Sequence, residues 1–305
     1  MVNAVMVSVA TKSTLPSAWA SEDAQAFFLG AGLGYRLELT EVWQADPQAQ
    51  SCIDFIEIAP ENWMGMGGWR AKTLRDFTSR YPTLCHGLSL SIGGPQPIDV
   101  DFVQQMKAFL DLHNVAVYSE HLSYCADPTG QLYELMPLPF SEEAVQHVAQ
   151  RVKQVQDILE RPLALENVSY YASPQAALTE SEFLNAVLTE ADCHLLLDVN
   201  NIYVNSINNQ YDAQVFLDAL PAERIAYIHV AGHDRPRDDL CVDTHAETVC
   251  QPVWDILAQT YRQYGILPTL LERDDQFEDF PALLGEVNHI RMLQQQASTQ
   301  KVRYG

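Results

Sequence analysis

The chain has 305 residues and a formal net charge of -22, because 18 Lys and Arg stand against 40 Asp and Glu. A charge this negative repels a phosphate backbone, so we expect no nucleic-acid partner. Hydrophobic residues make up 47% of the chain, which is typical of a protein with a large core and excludes a largely disordered chain.

The N-terminal segment contains a short apolar run with no basic residue before it and with Lys12 close behind it. Such a run is a weak signal peptide and is too short to span a bilayer. The six cysteines are scattered, without a C-x-x-C pair, which indicates reduced thiols rather than a disulfide framework. We therefore expect a cytoplasmic protein that has no membrane partner.

Eight short apolar runs follow one another along the chain, and most are nearly continuous, as in strands buried on both faces of a parallel sheet. They begin at Phe28, Cys52, Thr83, Val115, Leu163, Cys193, Ile225 and Leu267. Segments with helical spacing lie between them, for example from Asp101, Ser141, Thr179, Asp212 and Val253, and a final one follows Pro281. Ser141 and Thr179 are predicted N-caps, because acidic residues follow each of them in the first turn. Eight alternations favour a single α/β domain, a (β/α)8 TIM-type barrel, over an open doubly wound sheet.

We expect this barrel at residues 26–292, after an N-terminal extension at residues 1–25 and before a loose polar tail at residues 293–305. Gly30, Gly32 and Gly34 lack the G-x-G-x-x-G spacing of a dinucleotide site. They instead predict close packing of the first strand.

Acidic and histidine residues recur at the carboxyl ends of the predicted strands. In a TIM-type barrel these ends meet at the face that carries the active site. Imidazoles and carboxylates are the usual ligands of iron, zinc and manganese, and bridging carboxylates can hold two ions roughly 3.5–4 Å apart. The strand-end candidates are His86, His121, Glu166, Asp198, His229 and Glu272, and the pair Asp243 and His245 lies on a loop. We therefore predict a cluster of two or three metal ions at the barrel mouth.

A single His or Glu at a strand end is more often a hydrogen-bonded core residue than a ligand. Repetition favours a metal site, since burial of Glu166, Asp198 and Glu272 without partners would cost several kcal/mol each. Adjacent strand residues face opposite sides, so His121 is favoured over Glu120 as the inward-facing ligand.

The remaining histidines are predicted to have other roles. Those in helices or at a strand start, at the wrong end for catalysis, are expected to be structural or exposed: His113, His147, His194 and His289. Residues predicted to support the ligands or contact substrate are Glu61, Asn62, Glu120, Asn167 and Asn200. His233 could belong to the same group or could simply be a polar loop residue.

The combined motifs resemble those of the multinuclear non-heme iron-dependent oxidative enzymes, which include the methanobactin-biosynthesis oxidase. The matching stretches extend from Gly30 to about Asp275 and are GAGLGYR, IEIAPENW, HGLSLSIGG, SEHLSYC, LMPLPFSEEA, LENVSYYASP, SEFL, LLLDVNNIYVNS, IHVAGH, VDTH and LLERDD. The resemblance implies two or three iron ions of mixed Fe(II) and Fe(III) state, with O2 as co-substrate. Zinc and manganese are the alternative metals for the protein as purified.

The ligand pattern is also similar to that of metal-dependent nucleases and sugar isomerases with this type of barrel. This similarity adds Asn201, three residues past Asp198, to the ligand set. A neutral amide is a weak ligand, which implies an open metal position for oxygen or a thiolate. The implied catalytic residues are His86, Asn201 and Asp243. Arg273 stands where many relatives are expected to have Trp, so it is a candidate substrate or supporting residue.

The resemblance implies oxidation of cysteine residues in a ribosomally made precursor peptide, together with a partner protein that binds the peptide leader. The first alternative is a metal-dependent hydrolase or isomerase of the apurinic-site-nuclease or xylose-isomerase-like type, acting through a metal-bound hydroxide. The second alternative is a non-catalytic metal-binding protein. It is disfavoured because structural metal sites rarely use so many mixed oxygen and nitrogen ligands.

Overall fold

A computed structural model describes residues 30–46, 48–127, 129–172 and 176–304. Eight parallel strands form a closed barrel. In their order around the barrel, these strands are β1 Ala31–Gly34, β2 Phe55–Ile58, β3 Thr83–His86, β4 Val117–His121, β7 Leu163–Glu166, β8 His194–Asp198, β9 Ile225–Val230 and β12 Thr269–Leu271. Two antiparallel pairs lie outside the barrel, β5 Tyr124–Asp127 with β6 Gly130–Met136, and β10 His233–Arg237 with β11 Leu240–Asp243.

Helices alternate with the barrel strands. They are α1 Thr40–Ala45, α2 Ala49–Cys52, α3 Gly68–Thr78, α4 Val100–Leu112, α5 Glu142–Leu159, α6 Glu180–Ala191, α7 Val199–Asn209, α8 Ala213–Asp218, α9 Gln251–Tyr264 and α10 Phe280–Tyr304. Short 3-10 turns occupy Leu37–Leu39, Pro60–Asn62 and Ala222–Arg224. No helix in the described ranges is long and apolar enough to cross a membrane.

The predicted TIM-type barrel is confirmed, and so are both predicted helix caps. The Ser141 hydroxyl accepts a hydrogen bond from the Ala144 amide at the start of α5. Thr179 and Glu182 form a reciprocal capping box at the start of α6. All six cysteines are free thiols, as their spacing predicts.

The barrel interior consists of an apolar layer followed by a polar layer. Eight buried side chains form an apolar cluster contributed by seven barrel strands: Phe55, Leu84, Val117, Ala164, Leu196, Ala226, Tyr227 and Leu270. Because side chains alternate along a strand, the residue two positions later faces the same side. For every member of the cluster except Ala226, that residue is polar: Glu57, His86, Ser119, Glu166, Asp198, His229 and Glu272, and all seven are buried. The fold therefore collects polar side chains at the carboxyl end of the barrel.

Gly32 leaves room in the apolar layer on the first strand. A Cβ atom at Gly32 would lie 2.5 Å from the ring of Phe55. Only glycine allows the ring to pack this closely against β1, in agreement with the predicted close packing of that strand.

The last helix differs from the sequence prediction. Residues 293–304, predicted as a loose polar tail, continue α10 to Tyr304. One face of this segment packs onto the barrel, since Gln294 is buried and its Nε2 donates to the carbonyl oxygens of Gly30 at 3.1 Å and Leu267 at 3.2 Å. The N-terminal extension predicted at residues 1–25 lies outside the described residues.

Candidate metal centre

The candidate ligands lie where the barrel strands end. His86, His121, Glu166 and Asp198 are each the last residue of their strand. His229 precedes the last residue of β9, and Glu272 directly follows β12. Asp198 is also the N-cap of α7, where its Oδ1 accepts from the Asn201 amide at 2.7 Å.

Three groups of side chains place their ligand atoms within 4.8 Å of one another. The groups are His86, His121 and Glu166; Glu166, Asp198, His229 and Glu272; and His245, Glu272 and Asp274. Glu166 belongs to the first two groups and Glu272 to the last two. The arrangement is therefore suited to three metal positions in a row, linked by two shared carboxylates.

The distances within these groups are short. Glu166 Oε2 lies 3.0 Å from His86 Nε2 and 3.3 Å from His121 Nε2. Glu272 Oε2 lies 2.8 Å from His229 Nδ1 and 3.2 Å from His245 Nδ1. Each shared carboxylate thus faces two imidazole nitrogens.

Several buried polar atoms at this site face one another at short distance without a well-aligned hydrogen bond. They are Glu166 Oε2, Asp198 Oδ2, Asn201 Oδ1, His229 Nδ1, His245 Nε2 and Glu272 Oε2. Buried polar atoms normally make good hydrogen bonds, so a convergent set of ligand atoms that lack them fits a shared cation. The mixture of imidazole nitrogen and carboxylate oxygen suits iron, zinc or manganese. The residues present therefore fit a metal cluster.

The electrostatics of the ligand groups agree with this interpretation. Burial and the nearby Glu166 carboxylate raise the pKa of Asp198 well above its ordinary value. Burial lowers the pKa of His86, but the hydrogen bond and charge of Glu166 raise it more, to about 9. Burial, followed by the effect of His86, lowers the pKa of His121 to about 4. Bound cations would relieve the crowding of these carboxylates.

Asn201 is buried in the first turn of α7, next to the shared carboxylate. Its Nδ2 donates to Glu166 Oε1 at 3.2 Å and to the Asn167 carbonyl at 3.1 Å. The bond to a carbonyl fixes the orientation of the amide and leaves Oδ1 as a buried acceptor without a hydrogen bond. Asn201 can therefore offer an oxygen to a metal.

Asp243 lies outside the three groups but contacts one of their members. Its Oδ1 is 2.7 Å from His245 Nε2 and accepts from Asn200 Nδ2 at 2.9 Å. Its Oδ2 accepts from the Ser169 hydroxyl at 3.2 Å. Asn200 is in turn 2.8 Å from His233 Nδ1, so the predicted supporting residues Asn200 and His233 converge on Asp243. This geometry allows Asp243 to orient His245 as well as to bind a metal.

Glu61 and Glu120 both lie against the loop that follows β3. Glu61 Oε1 accepts from the backbone amides of Leu88 and Ser89 at 2.7 and 2.9 Å. Glu120 is 2% exposed and accepts from the Tyr118 hydroxyl at 2.6 Å, on the opposite side of β4 from His121. Burial and the charge of Glu61 raise the pKa of Glu120 to about 8.

Three other predicted residues have distinct positions. Asn167 pairs with the backbone of Asp198, donating to its carbonyl and accepting from its amide at 2.9 Å. Asn62 is exposed and lines the cleft above the site. Arg273 is 3% exposed and donates to the Ala246 carbonyl at 2.6 Å, so it holds the loop beside His245.

The four histidines predicted to be structural or exposed lie elsewhere. His113 follows α4, His147 is in α5, His289 is in α10, and His194 is the first residue of β8. Within the described residues, none of them belongs to a ligand group.

Sequence reasoning missed Glu57, Ser119, Tyr227 and Asp274. Glu57 is 3% exposed and lies 3.0 Å from His229 Nε2, and Asp274 completes the third ligand group. The available signal for Glu57 was an acidic residue inside the apolar stretch FIEI, two positions after the inward-facing Phe55.

A cleft of about 700 Å3 opens above the ligand groups. Its lining includes His86, His121, His245 and Glu272 together with side chains from the β5–β6 pair such as Tyr133. The candidate metal centre is thus accessible to a large substrate.

Proteins of similar sequence match this chain over most of its length. A UPF0276 protein of Shewanella oneidensis is 58% identical over 269 residues, which cover 88% of this chain and 95% of that protein. A UPF0276 protein of Pseudomonas aeruginosa is 50% identical over 277 residues, covering 91% and 96%.

Solved structures with a similar fold are far more distant in sequence. A xylose isomerase-like TIM barrel protein from Mycobacterium smegmatis, in complex with magnesium, has a TM-score of 0.60 at 10% identity, covering 88% of this chain and 97% of that chain. Endonuclease IV from Thermus thermophilus has a TM-score of 0.57 at 12% identity, covering 88% and 99%. At such identities the likeness shows the fold alone.

The family match extends over nearly all of the described structure. The family model described as RiPP precursor modification enzyme MbnB/TglH/ChrH matches residues 30–295, which contain every barrel strand and every ligand group. The chain therefore belongs to the MbnB/TglH/ChrH family of RiPP precursor modification enzymes.

Proposed function

We propose that this protein is an iron- and O2-dependent oxidase that modifies cysteine residues of a ribosomally synthesised precursor peptide. The observation that carries the proposal is the set of three linked ligand groups at the base of an open cleft, in a chain that belongs to a family of peptide-modifying enzymes. Two or three iron ions of mixed Fe(II) and Fe(III) state would occupy these groups. Zinc or manganese would suit the same donors in the protein as purified.

When bound, iron would supply the one-electron redox chemistry that oxidation of a cysteine by O2 requires. The protein would supply the geometry. His86, His121 and Glu166 would hold one ion at the cleft floor, while Asn201, a neutral donor, would bind weakly enough to leave room for another ligand. Asp243 would keep His245 oriented through their 2.7 Å contact.

The walls of the cleft suit a peptide better than a small metabolite. A volume of about 700 Å3 lies within the usual range of small-molecule ligand sites, so the preference for a peptide rests on the residues that line the cleft. Leu88, Tyr133 and Tyr171 are exposed large side chains in its lining, with 42%, 92% and 53% of their surface accessible. These side chains would cover the residues that flank the reactive cysteine, and a partner protein would present the peptide leader.

The proposal is tested with iron-loaded protein, its partner protein and a cysteine-containing precursor peptide. We expect O2 uptake and a mass change in the peptide, both absent when the peptide cysteines are replaced by serine. The variant His121→Ala should lose both signals while remaining folded, because it lacks one ligand of the first group.

Iron-loaded protein that consumes no O2 and leaves the peptide unchanged would refute the oxidase. Cleavage of an abasic-site duplex or isomerisation of a sugar by the zinc- or manganese-loaded protein would instead support the hydrolase or isomerase alternative.

A further inference from the structure

A continuous chain of buried hydrogen bonds runs beneath the candidate metal centre and joins two ligand groups. His86 Nδ1 lies 2.7 Å from Ser119 Oγ, which lies 2.7 Å from the Tyr227 hydroxyl. The Tyr227 hydroxyl donates to Glu57 Oε2 at 2.6 Å, and His229 Nε2 lies 3.1 Å from the same oxygen. Ser119 and Tyr227 are 0% exposed and Glu57 is 3% exposed, so water does not compete for these bonds.

The direction of each hydrogen bond follows from the carboxylate at one end. A carboxylate only accepts, so Tyr227 O–H and His229 Nε2–H both donate to Glu57. Tyr227 has then used its single proton, and its oxygen must accept the proton of Ser119. The contact of Ser119 Oγ with the Cys85 carbonyl is longer, at 3.3 Å, and does not compete equally. Ser119 Oγ in turn accepts from His86 Nδ1–H.

These directions determine which nitrogen of each imidazole is free for a metal. On His86 the free nitrogen is Nε2, which lies 3.0 Å from Glu166 Oε2. On His229 it is Nδ1, which lies 2.8 Å from Glu272 Oε2 and has no hydrogen bond of its own. The two histidines thus bind through different nitrogens, and the same chain imposes both choices.

We propose that Glu57 and Tyr227 are positioning residues that fix the tautomers of His86 and His229 together. They would thereby couple the first two metal positions through the buried chain of hydrogen bonds. The inference rests on the metal-binding part of the proposed function. It requires neither iron nor a peptide substrate.

Replacement of Glu57 disrupts the chain at its only acceptor-only member. In Glu57→Gln the amide oxygen can accept from Tyr227 or from His229, and the amide nitrogen faces the other donor. The variant should bind zinc about 10–100-fold more weakly, as is usual when the partner of a metal-binding histidine is lost. Tyr227→Phe preserves the packing but removes the link, and we expect about a tenfold weaker affinity, in the lower part of that range.

The experiment uses the full chain loaded with zinc, which is diamagnetic, and labelled with 15N at histidine. Long-range 1H–15N NMR reports the tautomer of each ring, and competition with a chromogenic chelator reports zinc affinity. We expect His86 protonated at Nδ1 and His229 at Nε2 in the wild-type protein. In Glu57→Gln and Tyr227→Phe the signals of both rings should change, because the hydrogen bonds of the chain link His86 to Glu57 through Ser119 and Tyr227.

Tyr118→Phe is the matched control. Tyr118 also donates from a buried hydroxyl to a glutamate at 2.6 Å, but outside the chain, so this variant should keep the wild-type zinc affinity and histidine signals. Opposite tautomers in the wild-type protein would overturn the inference, whether or not any variant folds. Unchanged ring signals and zinc affinity in folded Glu57→Gln would overturn it as well. Zinc binding with the expected tautomers but no oxidation of any peptide would refute only the proposed oxidase.

Discussion

At the scale of single residues, the candidate centre depends on carboxylates that are shared between neighbouring metal positions. Glu166, Asp198 and Glu272 are all buried at one end of the barrel, where like charges repel and water is excluded. Glu166 belongs to two ligand groups, whereas His121 belongs to one. Loss of Glu166 should therefore affect two metal positions at once.

We predict that Glu166→Gln loses about two metal equivalents per chain and that His121→Ala loses about one. A neutral amide cannot bridge two cations, so the effect of Glu166→Gln should exceed the roughly 10–100-fold loss of affinity caused by removal of a supporting group. Metal content after anaerobic reconstitution, measured by elemental analysis, checks both values. Glu180→Gln is the control, since Glu180 lies at the start of α6 and belongs to none of the three ligand groups. This variant should leave the metal content unchanged. Equal losses in Glu166→Gln and His121→Ala would contradict the shared-carboxylate arrangement.

The residues of the site differ in how far the sequence could predict them. Glu166, Asp198 and His229 stand out because each lies near the end of an apolar strand, on the side that a barrel directs to its active face. Glu57 occupies an equivalent inward position, but it lies inside a four-residue strand and looks like an interruption of the strand rather than its end. Ser119 and Tyr227 carry no sequence signal, because their role follows from contacts across the barrel between strands distant in the chain.

At the scale of secondary-structure elements, the start of α6 combines a predicted feature with an unpredicted one. The capping box of Thr179 and Glu182 follows from local sequence alone. The inward turn of Glu180 does not, since it depends on Tyr170, which donates to its Oε2 at 3.1 Å, and on Asn205, which donates to its Oε1 at 3.1 Å. Burial raises the pKa of Glu180 from 4.5 to about 7, although these hydrogen bonds lower it.

This shift predicts a pH-dependent stability. The folded protein binds the Glu180 proton more tightly than the unfolded chain, so this group lowers the stability progressively as the pH rises from about 4.5 to about 7. The full shift corresponds to about 3 kcal/mol, and partial solvent access reduces the expected effect to about 2 kcal/mol. Glu180→Gln should therefore gain about 2 kcal/mol relative to wild type between about pH 5 and about pH 8.

Urea unfolding of metal-free wild type and Glu180→Gln at both pH values measures this difference. Other groups titrate alike in both proteins and cancel. Glu190→Gln, at an exposed position of the same helix, should show no such pH-dependent gain. A constant difference between Glu180→Gln and wild type at the two pH values would contradict the prediction.

The two antiparallel pairs and the end of α10 were the elements that the sequence did not predict. Strand β6 is largely exposed and lacks the apolar run that identifies the barrel strands. Its register with β5 shifts between Tyr124 and Ala126, and Tyr133 has a positive φ of 57°, so the regular alternation of a strand is lost. Residues 293–304 are mostly polar in sequence, so the local pattern does not predict a helix. The contacts of Gln294 with the barrel come from distant parts of the chain.

At the scale of the whole molecule, the closed barrel and the metal centre contribute to stability separately. The strands are joined by backbone hydrogen bonds around the full circumference, and the apolar interior layer lies beneath the ligands. The ligand groups draw on six of the eight strands, β3, β4, β7, β8, β9 and β12. Metals should therefore stabilise a fold that already exists without them, unlike a zinc finger, which unfolds when its metal is removed.

We predict that removal of the metals lowers the melting temperature without unfolding the protein at room temperature. A metal present at 100 times its dissociation constant stabilises the native state by about 2.7 kcal/mol, which corresponds to roughly 5–10 °C for a domain of this size. Differential scanning calorimetry before and after chelation measures the shift, and far-ultraviolet circular dichroism should show that the metal-free protein keeps its helices. Glu166→Gln should show a smaller shift, because it binds fewer ions. An unfolded metal-free protein would mean that the carboxylates repel one another more strongly than the apolar layers hold the barrel together, and the independence of barrel and metal centre would then be wrong.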